Sequence, residues 1–445
     1  MSRLSLAALL LAASIASPSA DLTAQTVVFT NVHVIPMNRD TVLRNQTVVV
    51  RDGRIASISP AGSTAVPSGA RRIDGAGRSW LVPGLADMHV HLFDRGEFIM
   101  YLANGITTVR NLHGIPRHLA WRDSIAKGEL LGPRLFTSGP ILDGDPPSRG
   151  TNTVLRSRED AERAVAEQKA AGYDMIKVYD NLPRDLYEAL AVASRRVGLP
   201  LVGHVPTLVG LTGLLEVNGQ SGIEHVEELL PFFRGGTDTT GLGDTARSLA
   251  RLGIWVTPTV TVYRSALEQA TDWNAVLRRP EMRFLNPATM LDWGWTPTGE
   301  GRSGNQRARE GFARAVTFFE SQLIPALQGA GVRLLAGSDA PIPAIVPGYS
   351  LLGELETFVR SGLSPFEAMV TATRNPALFM GRAGEFGTIE VGAAADLVLL
   401  GADPLENIGN LENRVGVMRA GVWLSRADLD RRLEEMVSRR EPANR

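Results

Sequence analysis

The sequence predicts an α/β fold: a (β/α)8 TIM barrel over residues 81–382, with a small β-sandwich domain formed by residues 25–80 and 383–430. Three observations lead there. The middle of the chain alternates strand-like and helix-like segments eight times, which favours a closed barrel over an open sheet. The two flanks are both strand-rich and differ from the middle. Histidines and a carboxylate fall at the ends of several middle strands, the face where barrel active sites form.

The first 24 residues read as a signal peptide. Arg3 is positive, Leu4 to Ile15 is apolar, and small residues lead to cleavage after Ala20 or Ala24. The run is too short for a comfortable membrane span, so the expected location is secreted or periplasmic. Val27 to Ile35 is rich in branched residues. Thr47–Val50 and Ile55–Ser59 flank Asp52-Gly53, a strong hairpin signal. At the far end, GTIEVG (387–392) and ADLVLL (395–400) are strand-like, and a turn falls at Ala420-Gly421. The tail after Asp430 is charged and expected to fray.

The barrel strands are expected at Trp80–His89, Thr107–Leu112, Arg134–Gly139, Met175–Tyr179, Leu201–Val205, Gly222–Glu227, Trp255–Val262 and Arg333–Ser338. Helices separate them. Over Glu159–Ala171 the residues Ala161, Ala164, Val165 and Gln168 share a face, and Ser157 followed by Asp160 resembles a capping box. Glu310–Gly329 is a second helix. Two connections are long, Pro140–Ser157 and Tyr263–Arg309, and the latter carries Trp273, Trp293 and Trp295. Both follow strands and belong on the functional face.

Composition narrows the chemistry. The net charge of −1 over 445 residues gives no overall attraction for nucleic acid or anionic membrane, and no segment after the leader suits a stable membrane span. The absence of cysteine excludes disulfides, thiolate ligands and a cysteine nucleophile. A homo-oligomer is allowed but not required.

Four of the seven histidines, His89, His91, His204 and His225, sit at or near strand ends. His89 and His91 are two apart and project to one side of a strand. Asp339 ends the eighth strand. Lys177 lies inside an apolar strand buried on both faces, where an unpaired ammonium is costly. It either reaches the barrel mouth, pairs with a carboxylate, or loses its proton and takes up CO2 as a carbamate. Each residue has a plain structural reading, but all six converge on one end of one barrel. Imidazole and carboxylate suit first-row metals, zinc by default, with manganese or cobalt as alternatives. His113 stands where it can line the pocket. His33 and His118 are expected to be structural or on the surface. Tyr179 and Tyr263 follow strands four and seven, within reach of substrate or packed at the rim. Arg264 is placed to meet a substrate carboxylate. Glu224, Glu227 and Glu228 surround His225, and one of them is suited to orient a ligand.

HVH at 89–91, followed in order by Lys177, His204, His225 and Asp339, resembles the amidohydrolase superfamily over nearly the whole mature chain. MIKVY, GHVP, IEHVEEL and AGSDAP are similar to its imidazolonepropionase-like branch, which includes Xaa-Pro dipeptidases. The resemblance implies two divalent metal ions. His89, His91 and Asp339 hold the more buried one, His204 and His225 hold the other, and carboxylated Lys177 bridges both. It implies Asp339 as the catalytic acid–base group and a small-molecule amide or peptide as substrate. The same centre serves lactonases, esterases and cyclic-amide hydrolases, which stay open as alternatives.

Overall fold

The computed structural model describes residues 26–232, 239–292 and 305–440. The expected signal peptide, Trp293 and Trp295 lie outside these residues. The first strands are β1 (Val27–Val34), β2 (Leu43–Arg51), β3 (Arg54–Pro60) and β4 (Arg71–Pro83). The middle of the chain supplies β5 (Leu85–Val90), β6 (Ile106–Asn111), β7 (Arg134–Thr137), β8 (Leu142–Asp143) and β9 (Thr153–Val154). It continues with β10 (Ile176–Val178), β11 (Leu201–Gly203), β12 (Gly222–Glu224) and β13 (Trp255–Thr257). The last strands are β14 (Leu397–Leu400), β15 (Arg414–Arg419) and β16 (Val422–Ser425).

The two ends of the chain pair in one seven-stranded sheet, ordered β16-β15-β14-β4-β1-β2-β3. Alternation along β14 divides its burial: Val398 and Leu400 face the main core, while Leu397 and Leu399 join a smaller one with Phe29, Val48 and Trp423. The sheet curls until its two hairpins touch. Gly53 O accepts from Ala395 N at 2.8 Å, and a Cβ on Gly421 would stand 2.7 Å from Gly53 Cα. Both hairpins turn through left-handed residues, Asp52-Gly53 and Ala420-Gly421. Residues 387–392 form no strand. Ile389 fills the small core as a loop residue whose N–H donates to Pro36 O.

The middle strands are parallel. One ladder runs β5-β6-β7, and a second contains β10-β11-β12-β13. Single bridges join their ends: Ser138 with Met175, Val256 with Leu334, and Val90 with Ala340. The segment Arg333–Ser338, expected as a full strand, thus lies between β13 and β5 without a continuous ladder. Gly337 lets it approach, since a Cβ there would meet Thr257 Cγ2 at 2.7 Å and His89 Cβ at 2.8 Å. The arrangement is a TIM-barrel-like α/β fold.

Other expectations need correction. The strand at Trp255–Val262 stops at Thr257, because Thr259 is left-handed and the buried Glu354 carboxylate accepts from the N–H groups of Val260 and Thr261. A helix, Val260–Leu277, starts there instead, so the expected loop after Tyr263 begins as helix. The charged tail is also helical, Arg426–Arg440, because Leu429, Leu433 and Met436 recur on one buried face. The helix Arg158–Ala171 has its capping box, with Ser157 Oγ accepting from Asp160 N at 3.1 Å. Among the described residues no helix is long and apolar enough to cross a membrane.

Candidate active site

The six convergent residues line one cavity of about 290 Å³. Strand β5 delivers His89 and leads into His91. Strand β10 delivers Lys177, whose neighbours Ile176 and Val178 point into the main core on the other face. His204 follows β11 directly. Gly203, at φ +139°, is needed before it because a side chain would strike Val178 O. His225 follows β12, and Asp339 follows the Arg333–Ser338 segment. Both His225 (φ 72°) and Asp339 (φ 63°) have left-handed backbones, an uncommon state for residues with side chains. Long-range bonds hold Asp339 in place: its N–H donates to His89 O at 2.8 Å, and the buried Asp87 accepts from Ser338 N and Oγ at 2.9 and 2.6 Å. Burial pushes the Asp87 carboxyl up to about 7.

The imidazoles converge. The ring of His225 lies 4.4 Å from that of His89 and 4.9 Å from that of His204. In three of them Nδ1 is engaged by protein. His89 Nδ1 lies 3.0 Å from Glu224 Oε2, His225 Nδ1 is 2.8 Å from Thr259 Oγ1, and His204 Nδ1 is 2.7 Å from Asp180 Oδ1. Glu228 Oε1 also lies 3.0 Å from His204 Nδ1. At these lengths Asp180 and Glu228 act as hydrogen-bond partners of His204. Asp339 Oδ1 is 3.2 Å from His89 Nε2 and 3.0 Å from His91 Nε2. Among the described residues, His89 Nε2, His91 Nδ1 and Lys177 Nζ are buried with no hydrogen-bond partner. Orphaned ring nitrogens, an unpaired amine and a carboxylate facing one cavity fit divalent metal ions.

Burial is also the main force on protonation. It lowers His89 to about 4 and Lys177 to about 8, and it lowers His225 well below its ordinary value. Burial would raise Asp339, but His89, His225 and His91 overcome it and hold this carboxylate far below its usual range. His89 and His225 are thus neutral imidazoles beside an ionised carboxylate, the forms that ligate metal, whereas His204 is raised, because its bonds to Asp180 and Glu228 outweigh burial and Lys177.

Glu224 was one of three acidic neighbours of His225 in sequence, yet it serves His89. Its carboxylate takes both 2.8 Å bonds from Arg110 Nη2, and Arg110 Nε donates to Met88 O. Burial would raise Glu224, but Arg110 and His89 bring it to about 2. Glu224→Gln is expected to weaken divalent-metal affinity about 10- to 100-fold in chelator competition. It also leaves the Arg110 charge uncompensated, at a cost of about 3–5 kcal/mol in denaturant unfolding. Unchanged metal affinity would remove Glu224 from any orienting role.

Of the other sequence candidates, His113 and Tyr179 line the cavity, with His113 lowered to about 4 by burial. Tyr263 and Arg264 do not line it. Tyr263 packs edge-on against Phe312 and Phe319, and Arg264 Nη1 is bound to Glu320 Oε1 at 2.6 Å. The turn into helix at Val260 swings both away, which a strand through Val262 would not have done. His33 and His118 are hydrogen-bonded away from the cavity, to Asn45 N with Gly77 O and to Leu92 O with Asn111. Sequence reasoning missed the apolar lining residues Phe93, Ile141 and Ile342 and one charged lining residue, Arg149. The only signal for it was its place in the long connection Pro140–Ser157.

Comparison with known proteins shows the family of the chain. The model of the amidohydrolase family matches residues 80–424. An imidazolonepropionase of Maricaulis maris is 25% identical over 408 residues, covering 86% of this chain and 94% of its own. The structure of a bottromycin amidohydrolase is 26% identical with a TM-score of 0.77, covering 94% of this chain and 91% of that one. A Xaa-Pro dipeptidase with methionine bound in its active site shares the fold, at 20% identity and a TM-score of 0.68, over 90% of this chain and all of its own. The matched region holds every residue of the convergent cluster, from His89 to Asp339, and the chain belongs to the amidohydrolase family.

Proposed function

We propose that this hydrolase cleaves C–N amide bonds in dipeptides or N-acyl amino acids. The reading includes two divalent metal ions, zinc by default, bridged by carboxylated Lys177. It also takes the parallel strands as a closed eight-stranded ring whose C-terminal mouth is the site. The observation that carries it is the set of orphaned His89, His91 and Lys177 atoms around an ionised Asp339 in one cavity. The likeness to a bottromycin amidohydrolase supports an amide as the scissile group.

When bound, the metal ions supply Lewis acidity and bring water's pKa toward neutrality. His89, His91 and Asp339 would hold one ion, His204 and His225 the other, and the Lys177 carbamate both. Asp339 takes the proton of the attacking water and gives it to the departing nitrogen, so one carboxylate serves as base and then acid. Glu224, Thr259 and Asp180 hold His89, His225 and His204 in the orientation that presents Nε2 to the centre. Phe93, Ile141 and Ile342 give the cavity an apolar wall for a substrate side chain.

The test is a substrate panel on metal-loaded protein: Xaa-Pro and other dipeptides, N-acetyl and N-aroyl amino acids, lactones and aryl esters. Amide cleavage well above that of lactones and esters is expected. Efficient turnover of lactones or esters with amides left intact would make the enzyme a lactonase or esterase on the same centre.

A further inference from the structure

Arginines near the functional face differ in whether they are already neutralised. Arg264 is bound to Glu320, which also takes Arg360 Nε at 3.3 Å. Arg279 and Arg283, further along the same segment, pair with Glu268 and Glu434. None of the three lines the cavity.

Arg149 does line it. Its Nε donates to the Tyr179 hydroxyl at 2.9 Å, and the guanidinium carbon lies 5.7 Å from the centre of the Tyr179 ring. Among the described residues no carboxylate pairs with Arg149, and neither terminal nitrogen has a hydrogen-bond acceptor. The Tyr179 ring is 4.0 Å from that of His204, so Arg149 stands on the His204 side of the cavity. Lys177 is the other basic residue in the lining, but it is buried, and in the proposed function it is carboxylated.

The loop that carries Arg149 is fastened from inside. Buried Asp143 accepts from Ser148 N at 2.7 Å, Asn152 Nδ2 at 2.9 Å and Asn181 N at 2.8 Å. Asn152 N in turn donates to Arg149 O at 3.0 Å. A loop residue thus gains a fixed position, and the bond from Nε to Tyr179 sets the direction of the fork. Two terminal nitrogens in one plane match the two oxygens of a carboxylate.

We propose that Arg149 determines specificity by binding the carboxylate of the substrate's leaving amino acid, while the scissile amide lies among the convergent histidines. This rests on the amide-hydrolase reading and moves carboxylate recognition from Arg264 to Arg149. Arg149 is exposed in the free enzyme, so its contribution grows as substrate fills the cavity and displaces water.

The test is titration calorimetry on metal-loaded protein carrying Asp339→Asn to suppress turnover. The probes are N-acetyl-L-phenylalanine and its carboxamide. The acid should bind about 10- to 100-fold more tightly than the carboxamide. That ratio should fall close to one when Arg149→Met is added, and part of the way with Arg149→Lys, which keeps the charge but loses the fork. Metal content, measured alongside, confirms that the centre is intact. No acid preference with Arg149 present, or a preference that survives Arg149→Met, overturns the assignment. Failure of the functional reading is distinguishable: the unmodified enzyme would then cleave neither probe although the acid preference and its loss in Arg149→Met are both observed.

Discussion

Lys177→Ala is expected to purify with little divalent metal and to lose nearly all turnover. Lys177 sits in β10 at 1% exposure with Nζ unpartnered, and a buried unpaired ammonium is among the least favourable groups in a protein. Burial brings its pKa to about 8, which leaves a usable fraction of neutral amine near neutral pH. A neutral amine adds CO2 with loss of one proton, forming an N–C bond and an anionic group with two oxygens. That converts a costly cation into a ligand for the centre. Removing the side chain removes both oxygens and leaves a gap in the wall of the cavity. Metal analysis and activity should fall together, and short carboxylic acids such as formate or propionate should restore part of each. Native mass of the unmodified chain should show the added CO2. A Lys177→Ala protein with full metal content and normal turnover would exclude the bridging role.

Asp339→Asn is expected to lower kcat by about 10²–10⁴-fold while the fold survives. Asparagine is among the few residues with side chains that tolerate a left-handed backbone, so φ 63° need not change. The bond from the residue's N–H to His89 O is also retained. An amide oxygen still faces His89 and His91, so much of the metal should remain. What is lost is the site that carries a proton from water to the leaving nitrogen. Single-turnover kinetics with metal content measured in parallel separates these effects. A fall of less than about tenfold at full metal loading would take the proton-transfer role from Asp339.

How far the site was legible in sequence depended on the range of the signal. His89 and His91 announce themselves by a two-residue spacing on an apolar strand, and Lys177 by a charge inside one. His204, His225 and Asp339 are marked by standing where a strand ends. These are local patterns, as are the Asp52-Gly53 hairpin and the capping box at Ser157. By contrast, nothing near Glu224 says that it serves His89 rather than the adjacent His225. That choice is made by Arg110, which lies 114 residues earlier in the chain and is buried against it. The apparent strand through Val262 has the same lesson, since the helix start at Val260 is stabilised by Glu354 from far along the sequence.

Periodicity and residue type are properties of neighbours in the chain, so most elements, their order and the chemical identity of the six convergent residues were legible there; residues 258–262, 387–392 and the tail after Asp430 were not. Tertiary structure alone decided which arginine faces the cavity. Arg264 follows a predicted strand closely in sequence but is consumed by Glu320, whereas among the described residues Arg149 keeps an unpaired fork on a loop fastened by Asp143. It also decided the left-handed backbones of His225 and Asp339. Each outcome depends on contacts between distant segments, and those contacts exist only once the strands have been brought side by side.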